Sequence, residues 1–203
     1  MDLMSLLQGH LTEDVINQLS QQTGAAPEQT ATAAQGIFST LIGGLAKNAS
    51  TEGGASGILS ALDTDHDGSI LNDVMGLVSG AMQQSRGTTN GAGILGHILG
   101  GQQQNAAQMI SQTSGVSQNG VMDMMIKLAP MVMGVLGQQN QQQGGLNTSA
   151  LSGLLGNAVQ TQNSNPLMQL ATRFLDQDGD GSAIDDIMGM VGSKLLGGMF
   201  GGK

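Results

Sequence analysis

Cysteine, tryptophan and tyrosine are absent from this chain of 203 residues, and phenylalanine occurs only at Phe38, Phe174 and Phe200. Without cysteine there can be no disulfide, no thiolate metal site and no cysteine nucleophile. With so few rings, the core has to be filled by aliphatic side chains and by fourteen methionines. Methionine is flexible and fills irregular gaps without specifying a sharp shape. Basic residues are also scarce, six against fifteen acids, for a formal charge of -9. No basic patch exists to neutralise phosphates, which argues against nucleic acid as a partner. The first eight residues lack a basic region and a long apolar run. They predict no signal peptide and a cytoplasmic address, with leaderless export left open. The most apolar segment, 121–137, is interrupted by Asp123, Lys127 and Pro130. It falls short of the ~20 apolar residues that span a bilayer, so no transmembrane segment is expected.

Glycine, by contrast, is abundant, with 33 residues, and glutamine forms long tracts. A glycine inside a helix costs roughly 1 kcal/mol relative to alanine. A soft, loosely packed protein is therefore expected rather than a rigid enzyme scaffold. The acids are concentrated. Two stretches hold nine of the fifteen: Asp63-Thr-Asp65-His-Asp67-Gly68-Ser69-Ile-Leu-Asn-Asp73 and Asp176-Gln-Asp178-Gly-Asp180-Gly181-Ser182-Ala-Ile-Asp-Asp186.

Each stretch has carboxylates at positions 1, 3 and 5, glycine at 6 and a further aspartate at 11. That is the spacing of an EF-hand-type calcium loop. Carboxylates crowded this closely repel one another unless a cation sits among them, and a hard divalent ion taking six to eight oxygens suits them. The glycine lets the backbone turn so that a main-chain carbonyl at position 7 can also coordinate. The expected ligands are Asp63, Asp65, Asp67, Ser69 and Asp73 in the first loop. In the second they are Asp176, Asp178, Asp180, Ser182 and Asp186. Two bound Ca2+ would bring the charge from -9 to -5. Asn72 and Asp185, at position 10, can help directly or through water. Both loops depart from the standard EF-hand, whose bidentate glutamate at position 12 is replaced here by Val74 or Ile187. The competing reading is an Asp/Gly-rich turn that caps a helix without metal. Magnesium is the weaker candidate, because it prefers six rigid ligands and keeps its waters.

Other chemistry is hard to assemble. His10, His66 and His97 are not spaced as a metal site and are expected at the surface or at helix ends. No Ser/His/Asp arrangement stands out, and no glycine pattern follows a predicted strand as a phosphate loop requires. The sequence predicts a protein that is not an enzyme.

The chain is an imperfect duplication. Leu19-Ser20-Gln-Gln-Thr-Gly24 recurs as Ile110-Ser111-Gln-Thr-Ser-Gly115, and Leu41-Ile-Gly43-Gly-Leu45 as Val132-Met-Gly134-Val-Leu136, at an offset of 91. The acid loops recur at an offset of 113. The expected organisation is a first helical repeat over 1–84, a breaker-rich linker over 85–93 and a second repeat over 94–203. The second repeat carries a Gln/Gly-rich insertion over 138–162 with an extra helix around 149–160. Thr12 and the acids after it mark a helix start, with Val15, Ile16 and Leu19 on one face. A helix over 27–47 would bury Ile37, Leu41, Ile42 and Leu45. Helices over 58–62 and 170–175 would enter the loops, and helices over 73–83 and 185–196 would leave them. On the two exit helices, Val74, Leu77 and Val78 and their counterparts Ile187, Met190 and Val191 would face inward. No segment alternates over strand length. The fold class is all-α, a duplicated helical bundle with one EF-hand-like loop per half.

The duplicated Thr/Ser-Gly turn, the Gly-containing apolar helices and the aspartate loop followed by Met-Gly resemble the bacterial DUF937 family, which is related to the YidB-like proteins. The resemblance covers essentially the whole chain, and the dockerin-like aspartate loops are its most specific part. It implies a small helical fold without an established activity. The functional expectation is a calcium-binding helical protein in which calcium stabilises the fold and supports homotypic assembly into an oligomer or filament. One alternative is a calcium-responsive regulator that binds another protein through a Met-rich surface. A second is a protein that associates with membranes through its glycine-rich segment 189–203.

Overall fold

The computed structural model describes residues 3–64, 69–80 and 90–160, with only the backbone of Asp63, Thr64 and Ser69. These residues are all-α and include no strand. In chain order they form α1 (Leu3–His10), α2 (Glu13–Thr23), α3 (Pro27–Ala49) and α4 (Glu52–Thr64). A 3-10 turn (Ser69–Asp73) leads into α5 (Val74–Ser79). Then come α6 (Gly91–Leu99), α7 (Gln103–Ser114), α8 (Gln118–Gln142) and α9 (Thr148–Gln160).

The starts and stops follow from side-chain chemistry. Thr12 caps α2, its hydroxyl accepting the Val15 N–H at 3.4 Å. Gly24 ends that helix in the left-handed region (φ 69), its N–H reaching Ser20 O at 2.8 Å. Gly115 repeats this at the end of α7, with φ 79 and a 2.9 Å bond to Ser111 O. The duplicated Thr/Ser-Gly turn is thus the same left-handed helix cap formed twice. Pro27 opens α3 at its first position, and Gln29 Oε1 accepts the Ala26 N–H at 3.1 Å.

Two long helices organise the packing. α3 touches α1, α2, α4, α6, α7, α8 and α9, while α8 touches α1 to α7. Ile37, Phe38, Leu41 and Ile42 on α3, and Leu128, Val132, Val135 and Leu136 on α8, are fully buried. Each such side chain stabilises the fold by about 1.5–3 kcal/mol relative to exposure. Five described methionines (Met4, Met124, Met125, Met131 and Met133) belong to the same core, so methionine here serves mainly as core filling.

Glycine lets these helices approach closely. A Cβ on Gly44 of α3 would lie 2.8 Å from Ile98 Cγ2 and 2.9 Å from Leu99 Cδ2 on α6. On α8 the device is different. Pro130 lies inside the helix and has no N–H to give to the carbonyl four residues back. That carbonyl belongs to Ile126, and Gly91 of α6 is set against it so tightly that a Cβ would lie 1.7 Å from the oxygen. The glycine Cα–H faces the acceptor that the proline releases.

Asn90 and Gly91, within the expected linker, instead open α6: Asn90 Oδ1 accepts the Gly93 N–H at 3.0 Å. The helix expected inside the insertion is α9. It packs on α3 as α4 packs on α8, and Ser152-Gly-Leu-Leu155 echoes Ser56-Gly-Ile-Leu59.

Candidate metal loop

α4 ends at Thr64 and so carries Asp63 in its last turn. Ser69 begins the 3-10 turn, and Asp73 ends it. Asp65, Asp67, His66 and Gly68 lie outside the described residues, as do all the second-loop ligands, Asp176, Asp178, Asp180, Ser182 and Asp186. Of the ten expected ligands, Asp73 is the one whose side chain is described. Among the described residues no three His, Asp or Glu side chains converge.

Asp73 does something the spacing argument had assigned to the competing reading: it caps α5. Its Oδ1 accepts the Gly76 N–H at 2.7 Å. The carboxylate lies so close over the first turn that a Cβ on Gly76 would fall 2.3 Å from Oδ2. Asn90 with Gly93, Ser117 with Gly120 and Thr51 with Gly54 make the same bond, at 3.0, 3.2 and 3.1 Å. Capping does not exclude coordination. A carboxylate has about four lone-pair positions, and the cap bond to Oδ1 occupies one. A donor set of carboxylates and one backbone carbonyl is the hard-oxygen chemistry that calcium takes.

The exit helix is shorter than expected. Gly80, with φ 82, closes it through an N–H bond to Leu77 O at 3.2 Å, so it ends at Ser79, and 81–83 of the expected helix lie outside the described residues. Its apolar face is as expected, with Leu77 and Val78 buried and Val74 half-buried. α4 is longer than the expected 58–62, and α3 runs two residues past 47.

The exit segment is rooted in α8 in two ways. Ile70 and Leu71 of the 3-10 turn sit over Gly134, where a Cβ would lie 2.5 Å from Ile70 Cγ2 and 3.3 Å from Leu71 Cγ. A polar chain runs alongside. Gln22 of α2 donates its amide N–H to Val78 O of α5 at 3.2 Å. Gln22 Oε1 accepts from Lys127 Nζ, which also pairs with Asp123 at 2.5 Å. Lys127 is only 9 % exposed. In the sequence, Asp123 and Lys127 register as interruptions of an apolar run. The legible signal was their i,i+4 spacing, which places an Asp–Lys pair on one helix face.

Beside this region, α3, α4, α6 and α8 enclose a cleft of about 600 Å³, walled by Leu45, Ile58, Ala61, Ile94, Ile98 and Met133. Asn48 at its edge donates to both His97 O and Ile98 O at 3.1 Å, fastening α6 to the end of α3. His10 and His97 lie in the last turns of α1 and α6, the helix ends expected of them. α8 has the length and apolarity to cross a membrane, but 72 % of that stretch is buried inside the bundle.

These features define an all-α protein built on two buried central helices, with an aspartate-rich connection rooted in one of them. Residues 5–139 match the family described as bacterial protein of unknown function, DUF937, and the chain belongs to that family. The match includes the first acid loop and ends within α8, so the second loop lies beyond it. No curated protein and no solved structure matches the chain.

Proposed function

We propose that the chain is a non-enzymatic calcium-binding helical scaffold, in which the ion ties the end of α4 to the start of α5 and thereby holds α5 on α8. The observation that carries this reading is the position of Asp73. It is the last carboxylate of the acid loop, it sets the first turn of α5, and the segment it belongs to is packed over Gly134 and bonded to Gln22. An ion held by Asp63, Asp65, Asp67, Asp73 and the Ser69 carbonyl would relieve repulsion among the acids. Its binding free energy would then become folding free energy. Asp176, Asp178, Asp180, Ser182 and Asp186 would hold a second ion in the same manner. Assembly of identical copies is the use proposed for the scaffold, supported by its glycine-rich, weakly charged composition. The burial of most described methionines weighs against a Met-lined regulatory groove, since Met75, 40 % exposed, is the sole exposed large hydrophobic side chain among the described residues.

Two substitutions separate the ligand role of Asp73 from its cap role. Asp73→Asn keeps a capping oxygen but removes the charge, whereas Asp73→Ala removes both. With chelator present, Asp73→Asn should melt near the parent and Asp73→Ala below it. With calcium added, both should show a smaller rise in Tm than the parent. A parent rise that Asp73→Asn retains in full would remove Asp73 from the coordination shell.

A further inference from the structure

α4 and α6 both pack on α3 and on α8, and the cleft of about 600 Å³ is the space left between them. α1 and α9 also share α3, but those two pack against each other. Small residues hold the α4 side open. Gly54, Gly57 and Ala61 line it, and their i, i+3 and i+7 spacing puts them on one face of the helix. Gly54 is dictated by packing, since a Cβ there would lie 2.0 Å from Asn48 O. Gly57 is not, because a Cβ there would meet nothing within 4 Å. Glycine inside a helix costs stability, and here no close approach requires it. The cleft falls in the range of about 300–1,000 Å³ that suits a small molecule.

Its lining states what kind of molecule. Leu45 of α3, Ile58 of α4, Ile94 and Ile98 of α6 and Met133 of α8 give an aliphatic wall. The polar groups stand at its ends. Asn48 spends its amide N–H groups on His97 O and Ile98 O, which leaves its Oδ1 as an acceptor beside the exposed His97 ring at the end of α6. At the start of α6, Asn90 spends its Oδ1 on the Gly93 N–H. Seven helical residues separate Asn90 from His97, roughly 10 Å, which is about the length of an extended eight-carbon chain. No Asp, Glu, Lys or Arg lines the cleft among the described residues. An ionic head would therefore lose hydration with no opposite charge to replace it.

We propose that this cleft binds an uncharged straight-chain amphiphile, an aliphatic chain of about eight carbons ending in a hydroxyl. The chain lies along the Leu45, Ile94 and Met133 wall, and the hydroxyl donates to Asn48 Oδ1 and exchanges a hydrogen bond with the His97 ring. None of the lining residues belongs to an acid loop, so the site does not depend on a bound ion.

The absence of tryptophan and tyrosine gives a dark background for the test. The full chain is titrated with the neutral dye N-phenyl-1-naphthylamine, which brightens in apolar surroundings, and the bound dye is displaced with 1-octanol, octanoate or octylammonium. One saturable dye site per chain is expected. Octanol should displace it about tenfold more effectively than either charged analogue, and each methylene removed from the alcohol should weaken displacement about fourfold. Gly57→Leu and Ala61→Phe should each close the cleft and abolish uptake. Gly57→Leu fills open space and replaces a helix glycine, so its Tm should equal or exceed that of the parent. His97→Ala should keep dye uptake but weaken octanol about fivefold to tenfold. The absence of a saturable site, uptake that both cleft-filling variants retain, or equal displacement by octanoate would each overturn the proposal. So would uptake that falls as the protein is concentrated while Ala61→Phe breaks an oligomer, since that result gives the cleft to a second copy of the chain.

Discussion

α3 and α8 are the two central helices and are of similar length, yet they bury themselves by different means. α3 is lined with small residues, among them Ala33, Ala34, Gly36, Gly43, Gly44, Ala46 and Ala49, all buried. Neighbouring helices can lie close against it. α8 carries Met124, Met125, Met131 and Met133 instead, and places a charge, Lys127, and a proline, Pro130, in its interior. Where α3 is uniform, α8 is specialised. The lysine binds the chain of contacts that reaches α5, and the proline exposes a carbonyl that receives α6. The comparison shows that the two central helices of one bundle can divide the work, one supplying space and the other anchorage.

Five substitutions sharpen or break that contrast. The largest effect is expected at Gly91, where an added Cβ meets the backbone of Ile126. Gly91→Ala should destabilise the protein by about 3 kcal/mol in urea unfolding, since a backbone obstacle must move and not merely a side chain. A loss below about 1 kcal/mol would mean that α6 does not depend on the opening made by Pro130. Next comes the buried lysine. Lys127→Ala leaves Gln22 and Asp123 without their shared partner and should cost about 2 kcal/mol. Gln22→Ala should cost a similar amount, and the double variant should cost much less than the sum. Strict additivity would show that the chain of contacts from Asp123 to Val78 is not one unit.

Smaller effects follow at the cap and on α3. Asp73→Ala, measured with chelator, should cost about 1 kcal/mol through loss of the α5 cap. Calcium should then widen the gap from the parent. The smallest change is expected at Ser39, which stands on α3 where α8 has Pro130. Its buried hydroxyl has no hydrogen-bond partner among the described residues. Ser39→Ala should be neutral or stabilising by about 0.5–1 kcal/mol, because the hydroxyl is desolvated without compensation. A loss of stability there would reveal a partner for that oxygen.

Much of the helical frame was legible because its determinants are local. Thr12, Pro27 and the face of Ile37, Leu41 and Leu45 needed only capping chemistry and periodicity. Other features depend on contacts that spacing does not encode. Asp73 reads as a ligand by position in the loop, while its cap role is betrayed only by the glycine three residues on. Gly80 reads as a tolerated helix residue and in fact terminates α5. Lys127 looked like a flaw in an apolar run because its partner Gln22 lies 105 residues away. α9 falls where the extra helix of the insertion is expected, but its packing on α3 is a contact between distant segments that spacing does not encode.

The most direct test of the account is a thermal melt of the full chain in calcium, in magnesium and in chelator, followed by circular dichroism and light scattering together. The account predicts a rise in Tm that calcium produces and magnesium does not. It should correspond to about 2.7 kcal/mol for each site filled when free calcium is a hundredfold above its Kd, with scattering increasing as copies assemble. Superimposable melts in all three conditions would leave the aspartates as turn and cap residues and would contradict the proposed function.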